Sequence, residues 1–314
     1  MKKRHSRAKQ VLYLAGYFIK SKLSPEFRKP LICSFKITSK CNLKCIHCPF
    51  WKSNSTDDLS FGEVIKILDR LYKDGVRIVI FEGGEPLLWK DNQEEKDLSD
   101  VIEYSKRLFY SVGVTTNGTM DPGKLDPDII FISIDGLQKT HDRIRGKSFE
   151  KIFENIKKYS SRKKIIVNIC ISEINYDEVK ELVRYLNNRV FGITIQFFYP
   201  YNGVEDLRIA ANQKEKLLKE LISLKDAEFN LLDSPACLKN MAYNTWRCYD
   251  FLVSSVEHSG NITRGCYLKN KVDDVSCADC GFTAHCEISY AYRLNSGAIK
   301  TAARIFWGRI SHQD

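Results

Sequence analysis

No run of apolar residues in this 314-residue sequence approaches the ~20 that a bilayer-spanning helix needs, so no membrane-spanning helix is expected within it. The apolar stretch Val11–Ile19 has basic flanks like a secretory signal, but Lys20-Ser21-Lys22 follows it where a small-residue cleavage site belongs. It reads instead as an amphipathic helix, Val11–Leu23. Val11, Leu14, Ala15 and Phe18 share a face with Leu12 and Ile19, and Lys9, Lys20 and Lys22 lie away from it. There is no internal repeat and no low-complexity tract, which sets aside solenoids and disordered linkers. Charge of one sign is also missing where a nucleic-acid surface would need it. The net +10 is concentrated at the ends, +8 in residues 1–30 and +3 in residues 291–314, so the body between them is near neutral. No basic nucleic-acid-binding face is indicated there.

Hydrophobic residues make up 43% of the chain, enough for a globular protein with a substantial core. The length suits one large domain with a satellite, or two ordinary ones. Most of the eleven cysteines sit in CxxC-type clusters, which favours metal in a reducing, cytoplasmic compartment over disulfides. The first cluster, Cys41-Asn42-Leu43-Lys44-Cys45-Ile46-His47-Cys48, has the spacing CxxxCxxC. Three thiolates so close can hold three corners of a [4Fe–4S] cluster. The usual full set is four cysteines, so the last iron is left for another ligand. Structural zinc would demand a closed set of four, and His47, adjacent to Cys48, is badly placed to complete it.

After residue 30 the pattern alternates. Strands are expected at Leu31–Thr38, Val76–Phe81, Tyr110–Thr116, Ile129–Ile134, Ile165–Ile171 and Ile193–Phe198. Helices are expected at Ser60–Lys73, Asp97–Leu108, Phe149–Tyr159, Tyr176–Asn187 and Gln213–Leu224. Ser60 and Glu63 form a capping box. Such alternation implies a parallel sheet with crossover helices, and six units make a partial barrel, short of eight. The chemistry-bearing residues fall at strand ends: Cys41 after the first, Gly83-Gly84-Glu85-Pro86 after the second, Asn117-Gly118 after the third, and Ser133-Ile134-Asp135-Gly136 at the fourth. That is where sheets of this kind place their sites. Cys33 and Cys170 fall inside strands and read as buried apolar residues.

Over residues 31–200 the sequence resembles the radical S-adenosylmethionine (radical SAM) superfamily. The resemblance rests on the CxxxCxxC loop, the GGEP loop one βα unit later, Thr116-Asn117-Gly118, Ser133-Ile134-Asp135-Gly136 and His141-Asp142-Arg143-Ile144-Arg145-Gly146. It implies an α/β fold, a partial (βα)6 barrel of radical SAM type. Cys41, Cys45 and Cys48 would hold the catalytic [4Fe–4S] cluster, with S-adenosylmethionine on its open iron. Gly83, Gly84, Glu85 and Pro86 would receive the SAM ammonium, with Asn117 and Asp135 at the same rim. Ser133 and Arg143 would contact SAM, with Arg145 as the rival to Arg143. The family's reaction is reductive cleavage of SAM to a 5′-deoxyadenosyl radical that abstracts hydrogen from substrate. The electron would come from a donor such as a ferredoxin or flavodoxin.

A second group, Cys248-x17-Cys266 and Cys277-x2-Cys280-x5-Cys286, looks like the SPASM or twitch extension of some radical SAM enzymes. The fuller motif continues with a cysteine where this chain has Tyr290, so one auxiliary [4Fe–4S] cluster is expected. Its ligands would be four of Cys248, Cys266, Cys277, Cys280 and Cys286, with Cys237 as an outside candidate. A turn at Gly260-Asn261 would make a hairpin of Val253–Ser259 and Ile262–Arg264. The expected organisation is a basic amphipathic arm (1–30), the barrel (31–225), a small cysteine-rich C-terminal domain (226–290) and a basic amphipathic helix (291–314, apolar over Ile299–Ile310). The basic ends suit either packing on the barrel or peripheral contact with anionic lipid. Two substrate classes follow, a peptide or protein and a lipid or isoprenoid. The alternative outside catalysis is an iron–sulfur or zinc-binding protein.

Overall fold

Polar and apolar residues alternate along the strands, and that alternation sets the architecture. Side chains two apart share a face of a strand. In β1 (Ile32–Thr38) the odd-numbered Cys33, Phe35 and Ile37 are fully buried, while Ser34 and Lys36 face the other way. The computed structural model describes residues 6–52, 58–201 and 204–310, so the first five residues of the basic arm and the last four of the chain lie outside the described residues. Five further parallel strands follow: β2 (Ile78–Gly83), β3 (Ser111–Thr116), β4 (Ile129–Ser133), β5 (Ile165–Ile171) and β6 (Gly192–Phe197). The cysteine-rich segment adds β7 (Val253–Val256), parallel to β1, and β8 (Ile262–Arg264), antiparallel to β7. The sheet order is β8-β7-β1-β2-β3-β4-β5-β6.

The helices are α1 (Arg7–Leu23), α2 (Phe61–Lys73), α3 (Leu98–Leu108), α4 (Gln138–Arg145), α5 (Phe149–Tyr159), α6 (Val179–Leu186), α7 (Ala211–Asp226), α8 (Pro235–Met241), α9 (Thr283–Tyr292) and α10 (Ser296–Trp307). The expected Ser60–Glu63 capping box is present, with the Glu63 N–H donating to Ser60 Oγ at 3.3 Å and the Ser60 N–H to Glu63 Oε2 at 2.8 Å. The apolar faces of β1–β3 pack on α2 and α3 through Phe35, Ile37, Phe81, Val114, Leu68 and Val101. Those of β4–β6 pack on α5, α6 and α7. Burying one such side chain contributes about 1.5–3 kcal/mol. The opposite strand face carries Ser34, Lys36, Glu82, Ser133, Asn168, Cys170, Thr194 and Gln196, a polar interior none of whose strands is uniformly buried.

The cysteine-rich segment is joined to the barrel edge. The Phe197 N–H donates to the Gly281 carbonyl at 2.9 Å, and a Cβ on Gly281 would sit 2.0 Å from the Phe197 oxygen. Helices α8 and α9 were not expected from sequence. Cys237, Leu238 and Met241 of α8 and Cys286 of α9 are buried in the core that α7 also lines. The final helix starts earlier than its apolar stretch, because Asn295 caps it by accepting from the Ala298 N–H at 3.0 Å. Among the described residues no helix is long and apolar enough to cross a membrane.

Candidate functional site

The loop after β1 is held from three sides. The Gly84 N–H donates to the Thr38 carbonyl at 2.9 Å and the Glu85 N–H to the Lys40 carbonyl at 2.7 Å. A Cβ on Gly83 would lie 2.3 Å from the Thr38 oxygen, and one on Gly84 2.1 Å from the Lys40 oxygen. The two glycines therefore let the GGEP loop lie against the start of the cysteine loop. A side chain at either position would clash with that neighbouring backbone. From β3, Asn117 reaches the same loop, its Nδ2 lying 2.7 Å from Asn42 Oδ1 and 4.0 Å from Cys41 Sγ. From α4, the Ile144 carbonyl accepts from the Ile46 N–H at 3.0 Å.

Glu85 is fully buried. It accepts from Thr116 Oγ1 (2.8 Å), the Asn117 N–H (2.8 Å) and the Leu87 N–H (3.2 Å). Its carboxylate thus knits the GGEP loop to the end of β3 and caps the short turn Pro86–Leu88, whose Pro86 is buried. Burial pushes the Glu85 carboxyl above its ordinary range, opposed by those three donors.

Asp135 and Arg145 form the charged centre. Arg145 Nε donates to Asp135 Oδ2 at 2.5 Å, and Arg145 Nη1 lies 3.9 Å from Cys45 Sγ. Asp135 also accepts from the Cys170 N–H at 2.9 Å, and His47 Nε2 is 3.7 Å from its Oδ2. Burial would raise the Asp135 carboxyl, but Arg145, His47 and His141 together hold the group below its usual range. Burial lowers His47 to about 4, partly opposed by Asp135, so the imidazole is neutral at neutral pH. Arg145, not Arg143, is the arginine beside the cysteines; Arg143 is exposed. Two residues apart on a helix, the pair points to nearly opposite sides, and the side facing inward also carries buried His141 and Ile144. Ser133 ends β4 half-buried on the polar interior face, in register with Asn168.

Burial raises all three thiols of the first cluster, Cys45 to about 11, and each lies within electrostatic reach of Arg145. Cys45 also feels Cys48 and Cys41. Among the described residues no three His, Cys, Asp or Glu side chains converge on one point as ligands of a single ion would. A [4Fe–4S] cube instead needs thiolates spread over separate corners. Three thiols on one short loop, Cys45 buried and Cys41 and Cys48 half-buried, with a guanidinium 3.9 Å from the Cys45 sulfur, fit that group.

The second cysteine group divides. Partial desolvation raises Cys248, which is exposed at the surface, and burial pushes Cys280 to about 11. Cys248 is raised further by Cys280 and Cys266, and Cys280 by Cys266 and Cys277. Cys286 lies elsewhere, on α9 in the hydrophobic core, with its side chain hydrogen-bonded to that of Cys237. Cys286, expected among the cluster ligands, thus sits beside the outside candidate Cys237 on the buried side of α9 with Thr283, Ser289 and Tyr292. Cys170 is corrected: Cys33 is buried as expected, but Cys170 faces the polar interior half-exposed.

Sequence reasoning missed one further constellation. Lys36 is buried with Nζ 3.3 Å from Glu82 and 3.6 Å from the Tyr267 ring centroid. Lys36 and Glu82 are register partners on adjacent strands. The available signal was a single charged residue in each of two largely apolar strands, Lys36 in β1 and Glu82 near the end of β2.

Residues 35–186 match the family model described as Radical SAM superfamily. The chain is 30% identical over 174 residues to Sporulation killing factor maturation protein SkfB of Bacillus subtilis, covering 51% of this chain and 40% of that one. It is also 30% identical over 219 residues to Antilisterial bacteriocin subtilosin biosynthesis protein AlbA of the same organism, covering 63% and 46% respectively. It thus spans less than half the length of either relative. Streptococcus suis SuiB bound to precursor peptide SuiA shares the fold at a TM-score of 0.66 and 16% identity, over 87% of this chain and 67% of SuiB. The residues that surround Cys41, Cys45 and Cys48 lie within the matched segment, so this chain carries a radical SAM superfamily domain, followed by a cysteine-rich extension that resembles the SPASM/twitch type.

Proposed function

We propose that this chain is an enzyme that uses SAM and a [4Fe–4S] cluster to abstract hydrogen from a peptide. The observation that carries the reading is the set of clustered thiols facing Arg145, with the GGEP backbone pinned against the same loop. When bound, the cluster and SAM supply a 5′-deoxyadenosyl radical. The chain's own residues do the positioning. Cys41, Cys45 and Cys48 hold the cluster, and the backbone of Gly83, Gly84 and Glu85 receives the ammonium of SAM. Asn117 and Ser133 border the nucleoside, and Arg145 offsets the negative charge of the site. Cys248, Cys266, Cys277 and Cys280 hold one auxiliary cluster.

A cavity of about 390 Å³ supports the peptide reading. Its lining includes Lys36, Phe50, Gly83, Tyr201, His258 and Tyr267. The rings run in a row, Phe50 to Tyr201 at 6.0 Å and Tyr201 to Tyr267 at 6.3 Å between centroids. Phe50 follows Cys48 by two residues and Tyr267 follows Cys266 by one. A substrate in this cavity would lie between the two cysteine groups. Two relatives are named for the maturation or biosynthesis of a killing factor and a bacteriocin, and SuiB was captured with a precursor peptide. The test is anaerobic: reconstituted protein, SAM and dithionite are incubated alone, with the host's aqueous peptide fraction, or with its lipid extract. The peptide fraction should raise 5′-deoxyadenosine above the background rate. A rise with lipid alone overturns the peptide assignment, and no 5′-deoxyadenosine from iron-loaded protein overturns the catalytic one.

A further inference from the structure

Helix α1 is oriented the opposite way from an ordinary surface helix. Tyr13, Leu14, Tyr17 and Phe18 pack inward against Leu31, Leu252 and Tyr292, and Ser21 Oγ meets the Tyr292 hydroxyl at 3.2 Å. That face is semi-polar and full. The apolar residues Val11, Leu12, Ile19 and Leu23 are left outside, 62%, 72%, 61% and 80% exposed. With Ala8 and Ala15, also exposed, they form one continuous outward stripe at helical spacing. Arg7 flanks the stripe on one side and Lys9 and Lys20 on the other, Lys22 stands within it at its C-terminal end, and α1 contains no acidic residue. The expected single apolar face is thus split, with Leu14 and Phe18 inward and Val11, Leu12, Ala15 and Ile19 outward.

The C-terminal end of the stripe runs into a basic pocket of about 400 Å³ lined by Lys22, Arg28, Arg247, Tyr249, Tyr292 and Arg293, without a carboxylate. The cations are held over rings: Lys22 at 5.7 Å from the Tyr292 centroid, Arg28 at 5.7 Å from Phe251 and Arg247 at 5.1 Å from Tyr249. Among the described residues none of Lys9, Lys20, Lys22, Arg28, Arg247 and Arg293 forms an ion pair with a carboxylate. Leu294, 61% exposed, extends the apolar surface beside Arg293.

We propose that the outward face of α1 and this pocket dock the protein on an anionic lipid bilayer. Val11, Leu12, Ile19 and Leu23 would enter the interface, and the pocket would take a headgroup phosphate. Charge complementarity selects this occupant. An apolar stripe bordered by cations is the pattern of helices that lie in the plane of an interface, and each basic residue near an anionic surface adds attraction. A second copy of the chain would bring the same cations face to face, which opposes pairing through this surface.

The test uses the full chain with its clusters loaded, sedimented with vesicles of phosphatidylcholine alone or of phosphatidylcholine with phosphatidylglycerol. Two double variants are compared with wild type, Leu12→Glu/Ile19→Glu and Lys22→Gln/Arg293→Gln, each first matched to it in melting temperature and iron content. The expected result is binding to the anionic vesicles at least about tenfold tighter than to neutral ones, and weakened by at least about tenfold in each variant. Equal binding to both vesicles, or undiminished binding of either variant, overturns the proposal. So does absence of vesicle binding, including the case in which light scattering finds a dimer that Leu12→Glu/Ile19→Glu dissociates. These readouts are independent of SAM cleavage, so their failure and that of the proposed reaction are distinguishable.

Discussion

Arg145 clamps Asp135 through Nε at 2.5 Å while turning Nη1 to within 3.9 Å of the Cys45 sulfur. One guanidinium therefore neutralises a carboxylate that is 1% exposed and faces the loop expected to hold the first cluster. Removing one partner of a buried pair leaves the other charge without compensation, which costs about 3–5 kcal/mol. Arg145→Ala should lower the urea midpoint accordingly, while Arg143→Ala, on the exposed side of α4, should stay within about 0.5 kcal/mol of wild type. Equal effects of the two variants would remove the basis for choosing Arg145.

The order of strands and the location of the first site were legible because both are written locally. Apolar runs such as Ile165–Ile171, and turn residues at their ends, identify strands and rim without tertiary information. Helix α4 was not legible: among Gln138–Arg145 its one aliphatic residue is Ile144, so no apolar period betrays it, and Arg143 and Arg145 could not be told apart. The ligand set of the second cluster was equally hidden. Whether Cys286 joins Cys280 or Cys237 depends on which face of α9 meets the core, a tertiary fact. The outward stripe of α1 escaped for the same reason, since a helical period gives a face and not the direction in which it points.

The division of the second cysteine group predicts two different phenotypes. Cys280→Ala should lower iron and sulfide per chain, leaving the first cluster loaded. Cys286→Ala should retain iron and lose about 1–2 kcal/mol of stability, as a change in the buried core. Iron loss in Cys286→Ala would return that residue to the ligand set. Cys45→Ala should abolish SAM cleavage, because two thiolates remain where three are needed; retained cleavage at normal iron content would contradict the assignment of Cys41, Cys45 and Cys48.

Asp233 gives a pH signature. Its carboxylate accepts from the Ile195 N–H at 3.0 Å, where burial, aggravated by the neighbouring Glu287, pushes it up to about 8. The unfolded chain releases that proton near pH 4. Between about pH 4 and 8 the native state thus binds a proton the unfolded state has lost, so this contribution is complete at low pH and disappears as pH rises through 8. Asp233→Asn keeps an acceptor for the Ile195 N–H and has nothing to titrate. Its urea midpoint should fall less than that of wild type between about pH 5 and pH 8.5. Parallel declines would mean that Asp233 is ionised in the folded protein.

Lys36 separates substrate handling from SAM cleavage. Its ammonium lies in the cavity between Glu82 and the face of Tyr267, and neither it nor Tyr267 is among the groups that hold the first cluster or receive SAM. A cation fixed over a ring in a desolvated wall is a recognition element for a substrate carbonyl or carboxylate. Lys36→Met keeps the length of the side chain and its contact with Tyr267 while removing the charge. The peptide-free rate of 5′-deoxyadenosine formation should persist in this variant, and the increment that peptide adds should fall by about tenfold, the loss of one hydrogen bond to a charged group. An unchanged increment would place the peptide elsewhere. Loss of the basal rate together with the increment would instead make the Lys36–Glu82 pair a structural brace between β1 and β2, and comparing the melting temperatures of Lys36→Met and wild type distinguishes those cases.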